Sequence, residues 1–202
     1  MENEILDKLR KRLAEEVNKI TRLEVFDFDG TLISTPLPEF GKPIWEKEYG
    51  QKWPHVGWWS RVESLDQRIF EMKPLAQVAA ANRTSTARPD TMNIMMTGRR
   101  GDKTGATKFA NLMGAVKAVL DKNGFTFDGY YYNTRGETSA YKIGELNRIL
   151  NANPNIVDVT LYDDRDQHIP TFQTWGDELV ANGRLTNFTM NHIKGEHHSP
   201  ID

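Results

Sequence analysis

A chain of 202 residues fits one domain, or one domain carrying a modest insertion, and leaves no room for a long repeat array. Hydrophobic residues at 38% and aromatics at 10% supply a real core, and 26 Lys+Arg against 28 Asp+Glu leave a net charge of -2, so no overall field advertises a nucleic acid or an acidic membrane. Cysteine is absent, which excludes disulfides, thiolate metal sites and thiol catalysis; any metal must sit on carboxylates, carbonyls or histidine.

Residues Glu2 to Ile20 place Ile5, Leu9, Leu13, Val17 and Ile20 three or four apart, the spacing of a one-sided amphipathic helix. Leu23 to Phe28 follow as a strand of the kind buried in a parallel sheet. From Ser34 to about Arg88 five prolines interrupt the pattern and four of the five tryptophans fall inside (Trp45, Trp53, Trp58 and Trp59), which predicts an insertion with short helices. Met92 to Met96 is a second strand, Thr107 to Lys122 a helix, Gly129 to Tyr132 a third strand and Ser139 to Leu150 a helix. Val157 to Tyr162 is a fourth strand, Ile169 to Val180 a helix, and Leu185 to Ile193 a last strand. Such alternation predicts an α/β domain with a mainly parallel sheet. The expected organisation is an N-terminal helix over 1–21, a core from 22–34 and 89–195, an insertion over 35–88 and a polar tail over 196–202. No apolar run approaches the roughly 18–20 residues of a membrane span, and the first residues lack the apolar segment of a signal peptide. The expectation is a soluble, cytoplasmic protein with no membrane partner.

Ligands of parallel sheets bind at the carboxyl ends of the strands, so the residues at the strand exits carry the functional reading. The first strand ends in Asp27-Phe28-Asp29-Gly30-Thr31. Carboxylates two residues apart on extended chain face the same way, and a cation relieves their repulsion. Gly30 permits the sharp exit. The second strand ends in Thr97-Gly98-Arg99, where a hydroxyl, a backbone N–H and a guanidinium suit phosphate oxygens. The fourth ends in the paired carboxylates Asp163-Asp164, followed by Arg165. His168 reads as a packing or helix-start residue, and Glu196-His197-His198 as part of a polar tail.

These residues, in this order, resemble the motifs of the haloacid dehalogenase (HAD) superfamily over about residues 22–175, with Lys142 as the lysine of the third motif and Lys122 the weaker candidate. More closely, Phe26 to Leu32 with Thr35-Pro36-Leu37-Pro38, Gly57-Trp58-Trp59, Thr97-Gly98-Arg99, Tyr141-Lys142 and Tyr162 to His168 resemble the HAD branch labelled Swiss Army Knife RNA-repair-like. The Asp-Asp-Arg ending is also similar to the phosphatase domain of phage-type polynucleotide kinase 3′-phosphatases. The resemblance implies a Rossmannoid three-layer sandwich with a small helical cap inserted after the first strand. It implies a phosphatase in which Asp27 attacks phosphorus and Asp29 serves as acid and base, with Thr97 and Lys142 on the phosphoryl oxygens. It further implies Mg²⁺ held by Asp27, the backbone carbonyl of Asp29, and Asp164 or Asp163.

Arg99 and Arg165 are expected either to contact substrate, together with Gly98, or to pair with the acidic cluster. Most of the tryptophans are expected to form a small core for the insertion, and one exposed member of the pair Trp58-Trp59 would be enough to offer a base a stacking platform. The expected substrate is a phosphorylated DNA or RNA end, most plausibly a 3′-phosphate in repair. A small-molecule or nucleotide phosphatase is the alternative, and a non-catalytic binding module on the same fold is the third reading. No G-x-x-x-x-G-K-[ST] loop occurs in the chain, so no kinase element accompanies the phosphatase motifs. The near-zero net charge hides an asymmetry: residues 83–148 carry 11 basic against 6 acidic residues and 149–202 carry 3 against 8. Arg83, Arg88, Arg99, Arg100, Lys103 and Lys108 are expected to flank the phosphate-binding strand exit.

Overall fold

The computed structural model describes residues 5–7, 19–101 and 109–194. Most of the expected N-terminal helix, Lys103, Lys108 and the tail with Glu196, His197 and His198 lie outside the described residues; residues 5–7 are helical.

Five strands build the sheet: β1 (Arg22–Phe26), β2 (Thr91–Arg100), β3 (Gly129–Asn133), β4 (Asp158–Asp163) and β5 (Asn187–His192). Their order is β3-β2-β1-β4-β5 and every pairing is parallel. The chain starts at the centre, steps out to β3, then returns across the sheet to β4. That reversal opens a crevice at the carboxyl ends of β1 and β4, where ligands of open α/β sheets bind.

Helices cover both faces. On one, α4 (Thr138–Ala152) and α5 (Ile169–Ala181) bury Leu146, Ile149, Leu150, Phe172 and Trp175 against Leu23, Val25, Ile94, Met96, Val159 and Leu161. Lys142 lies on the same face of α4 as Leu146, Ile149 and Leu150, since positions four, seven and eight residues apart share one stripe. It is carried into the interior as the apolar residues are. On the other face, α2 (Ala76–Thr86) and α3 (Ala110–Lys122) bury Val78, Leu112, Val116 and Leu120 against Phe26 and Met95. The result is a three-layer α/β arrangement, a parallel sheet between two layers of helices.

The segment between β1 and α2 holds α1 (Pro38–Tyr49) and a single 3-10 turn, Val62–Leu65. Trp45, Trp58, Leu65 and Phe70 belong to the same cluster as Phe26 and Met95, so this segment shares the core of the sheet. Trp58 accounts for part of that. Its indole N–H donates to the Pro36 carbonyl at 2.9 Å, and its ring lies against the bare Cα of Gly41 in α1, where any side chain would overlap it. No helix among the described residues is long and apolar enough to cross a membrane.

Candidate active site

The exit of β1 is a tight loop. Asp27 N–H still pairs with the Tyr162 carbonyl of β4 at 2.9 Å, and Leu32 and Ile33 then donate back to the carbonyls of Asp27 and Phe28. Gly30 at φ 66° permits the reversal, a left-handed conformation that costs a Cβ-bearing residue energy. Asp27 and Asp29 consequently both reach one inner pocket of about 90 Å³, which Trp59, Gly98, Arg99, Thr138, Arg165 and His168 also line.

The two carboxylates have different partners. Asp27 Oδ1 accepts from Lys142 Nζ at 2.6 Å, and the same ammonium donates to Asp163 Oδ2 at 2.7 Å. All three groups are buried. Asp163 Oδ1 takes the Arg165 backbone N–H at 3.0 Å and His168 Nδ1 at 3.1 Å. Burial raises the Asp27 carboxyl above the ordinary carboxylate range; the Lys142 ammonium opposes that rise, while Asp163, Asp164 and Asp29 add to it. Asp163 moves the other way: its own burial opposes the shift, but Lys142 and His168 together hold its carboxyl well below the usual range. Lys142 is raised against its own desolvation by those two carboxylates, so it stays an ammonium. The Asp27 and Lys142 shifts pull against each other across one contact, and the geometry decides: a single ammonium serves two carboxylates, and Asp163 has the additional donors.

Asp29 meets a different cation. Arg99 grips it with Nε at 2.9 Å from Oδ2 and Nη2 at 2.7 Å from Oδ1, and the Thr35 hydroxyl donates to Oδ1 at 2.7 Å. Nη1 of Arg99 turns to the inserted segment, donating to Ser64 Oγ at 2.8 Å and to the Trp59 carbonyl at 3.2 Å. The guanidinium thus ties the strand exit to the residues above it. A register shift between Thr97 and Arg100 leaves Gly98 and Arg99 without partners on β3, a bulge of the kind that re-aims a side chain beside an active site. Thr97 Oγ1 accepts the Arg99 N–H at 3.1 Å and braces the bulge.

The acidic cluster suits a hard cation. One carboxylate oxygen each from Asp27, Asp163 and Asp164 can be chosen so that all lie within 4.8 Å of one another, an all-oxygen set of the type Mg²⁺ takes. The Lys142 ammonium bonds two of these three carboxylates, and a divalent ion would relieve the mutual repulsion that remains. Asp164 also lines an adjoining outer pocket of about 310 Å³, together with Asp29, Leu37, Trp59, Arg165, Asp166 and Gln167.

Several expected site residues stand elsewhere. Trp58 is enclosed in the core, so it offers no platform; Trp59 is the tryptophan on the pocket wall. Thr97 is fully buried and is not among the residues that line the pocket, whereas Gly98 and Arg99 are. Arg165 keeps its guanidinium over the Trp59 ring at 5.7 Å, and Arg99 lies over the same ring at 5.4 Å. The basic residues do not all flank the strand exit. Arg88 pairs with Asp90 at 3.4 Å before β2 begins, and the six strand steps from Thr91 to Thr97, at about 3.3 Å each, separate it from Thr97. Arg83 lies on α2, which leads into the same end of β2. Thr138 and Ser64, which the sequence does not single out, join the site because Thr138 opens α4 and Ser64 lies in the 3-10 turn beneath Arg99.

A parallel α/β sheet with two carboxylates at one strand exit, two at the next and a lysine braced between them is the arrangement of a HAD-type domain. The chain belongs to the family described as HAD domain family 1 in Swiss Army Knife RNA repair proteins, which it matches over residues 42–199. That span begins after β1, so Asp27 and Asp29 precede it. An uncharacterized protein of Saccharomyces cerevisiae is 26% identical over 175 residues, covering 77% of this chain and 37% of the yeast protein; the chain therefore spans little over a third of that relative. No solved structure gives a significant match.

Proposed function

We propose that the protein is a Mg²⁺-dependent phosphomonoester hydrolase that works through an aspartyl-phosphate on Asp27, with a phosphorylated nucleic-acid end as substrate. The observation that carries the chemistry is the Asp27 carboxylate at the floor of a phosphate-sized pocket, paired with Lys142 and flanked by Asp163 and Asp164. Because Lys142 holds Oδ1, Oδ2 of Asp27 is the oxygen that attacks phosphorus. The bond from phosphorus to the leaving oxygen breaks, and that oxygen takes a proton from Asp29, which must enter this half-reaction as the carboxylic acid and leaves it as the carboxylate. Asp29 Oδ2, which holds one bond from Arg99 where Oδ1 holds more, is the oxygen placed for that exchange. In the second half Asp29 takes a proton from water, whose oxygen attacks phosphorus and releases Asp27 and orthophosphate. Lys142 balances the charge of the nucleophile, and Gly98, Arg99 and Arg165 face the transferring group from the walls. Mg²⁺, held by Asp27, the Asp29 carbonyl and Asp164, would neutralise charge on the phosphoryl oxygens. Asp164 is preferred over Asp163 because the latter already serves Lys142, His168 and the Arg165 N–H.

The family's tie to RNA repair proteins and the Trp59 ring beside Arg165 support a nucleotide end carrying a 3′-phosphate, with the ring stacking a base. One observation favours a small, uncharged leaving group instead: the outer pocket presents Asp29, Asp164 and Asp166 against Arg165 alone. Phosphate release from a 3′-phosphorylated oligonucleotide and from a nucleoside 3′-monophosphate, each with rising salt, separates the two. An oligonucleotide substrate predicts higher kcat/KM for the longer molecule and a steeper decline with salt; equal values and equal declines would overturn it.

A further inference from the structure

His168 is buried among the reacting groups, yet the chemistry above gives it no part. Its backbone is held at the head of α5, with its N–H on the Arg165 carbonyl at 2.8 Å and its carbonyl receiving the Phe172 N–H at 3.0 Å. Its ring meets the Phe172 ring edge-on at 5.7 Å, and the Lys142 ammonium lies 6.0 Å from the centre of that same ring. One aromatic side chain thus contacts both side-chain donors to Asp163. From His168 Nδ1 a continuous row of contacts runs to Asp163 Oδ1, across that carboxylate to Oδ2, on to Lys142 Nζ and then to Asp27 Oδ1, with separations of 3.1, 2.7 and 2.6 Å.

We propose that His168 is a positioning residue: its Nδ1–H fixes the plane of the Asp163 carboxylate, and thereby holds Lys142 on the nucleophile Asp27. A carboxylate turns easily about its last torsion, which has broad minima. Without the imidazole, the Arg165 N–H would be the only remaining donor among the described residues to hold Oδ1. Asp163 would then be free to draw the ammonium away from Asp27 or to turn toward the cation cluster. A histidine kept only for packing would need its volume and not its Nδ1. The proposal rests on the phosphatase reading for its kinetic consequence, but its geometric content concerns Asp163 and Lys142 alone.

The test compares His168→Asn, whose amide nitrogen falls near the place of Nδ1, with His168→Leu, which fills space without a donor. Two readouts are taken: Mg²⁺-dependent hydrolysis of p-nitrophenyl phosphate, and the Mg²⁺ concentration that half-saturates the rise in melting temperature without substrate. Partners that orient ligating groups are worth about 10–100-fold in activity or metal affinity. The expected result is a loss of that size in kcat for His168→Leu, with KM little changed and half-saturation displaced several-fold downward, because the ammonium leaves Asp27 or Asp163 turns to the cluster and either adds negative charge at the cation site, and return of both toward wild type in His168→Asn. Wild-type behaviour of His168→Leu would overturn the proposal. So would an Asn variant no better than Leu, including the case in which neither folds, because the residue would then act through packing. A wild-type protein that binds Mg²⁺ and releases no phosphate, while the two variants keep the predicted order in Mg²⁺ half-saturation, would overturn the phosphatase reading and leave the positioning role standing.

Discussion

Replacing Lys142 with methionine keeps most of the volume of the side chain and removes its charge. The ammonium is the shared partner of Asp27 at 2.6 Å and Asp163 at 2.7 Å, and all three groups are withdrawn from water. Removing one member of a buried ion pair typically costs about 3–5 kcal/mol, because the charge left behind has neither solvent nor partner. The cost falls unequally. Asp163 retains His168 Nδ1 and the Arg165 N–H, whereas Asp27 is already raised by burial and loses the one cation that opposes the rise. Urea unfolding near neutral pH in the presence of EDTA should therefore show Lys142→Met destabilised by about 3–5 kcal/mol. Adding Asp27→Asn to it should recover about 1–3 kcal/mol, the coupling expected of groups in direct contact. Excess Mg²⁺ should narrow the deficit of the single variant, since a divalent ion replaces part of the missing charge. Neither variant should release phosphate. A Lys142→Met protein as stable as wild type in EDTA, or a double variant less stable than the single one, would refute the reasoning.

Gly98→Ala puts a methyl carbon 2.9 Å from Thr138 Cγ2, inside ordinary contact, so the bulge or the start of α4 must shift; kcat/KM should fall while urea unfolding shows a stability change of no more than about 1–3 kcal/mol, the usual cost of overpacking. Glu137 caps α4 by accepting from the N–H groups of Ser139 and Ala140 at 2.9 and 2.8 Å, and Glu137→Ala should lower stability by about 1 kcal/mol. The Ser139 hydroxyl, followed by the Ala140 N–H, lowers the Glu137 carboxyl to about 2 from an ordinary 4.5. Its contribution is therefore present above about pH 4.5 and is lost as pH falls toward 2. The stability gap between wild type and Glu137→Ala, followed by thermal melts across pH, should close in that window; a gap that is constant or widens toward acid would contradict the capping role.

The sheet was legible because its strands are unusually apolar and its punctuation is clear. Leu23 to Phe28 and Val157 to Tyr162 match the observed β1 and β4 to within two residues, Met92 to Met96 lies inside the longer β2, which runs on to Arg100, and the carboxylates at two exits mark the crevice between β1 and β4. Lys142 was legible only through the family resemblance, as a lysine near the start of a helix upstream of Asp163-Asp164; its place on the buried stripe of α4 came from the structure. What sequence could not supply was which of several equivalent-looking side chains turns inward. Trp58 and Trp59 are adjacent and chemically alike, yet a contact with Gly41, far from both in sequence, takes the first into the core. Arg99 and Arg165 follow similar exits, but the two-residue bulge in β2 turns one onto Asp29 while the other faces the pocket mouth. Regional charge misled for a related reason. A strand carries its charges over its whole length, so Arg88 and Arg99 belong to opposite ends of the sheet although both sit in the same basic segment.

The central claim is that Asp27 is the nucleophile of a Mg²⁺-dependent phosphatase, and initial rates of phosphate release by wild type and Asp27→Asn test it most directly. With Mg²⁺ present and a 3′-phosphorylated oligonucleotide or p-nitrophenyl phosphate as substrate, wild type should turn over and Asp27→Asn should fall by more than about a thousandfold, as removal of a covalent nucleophile does. A folded Asp27→Asn protein that retains the wild-type rate would contradict the account.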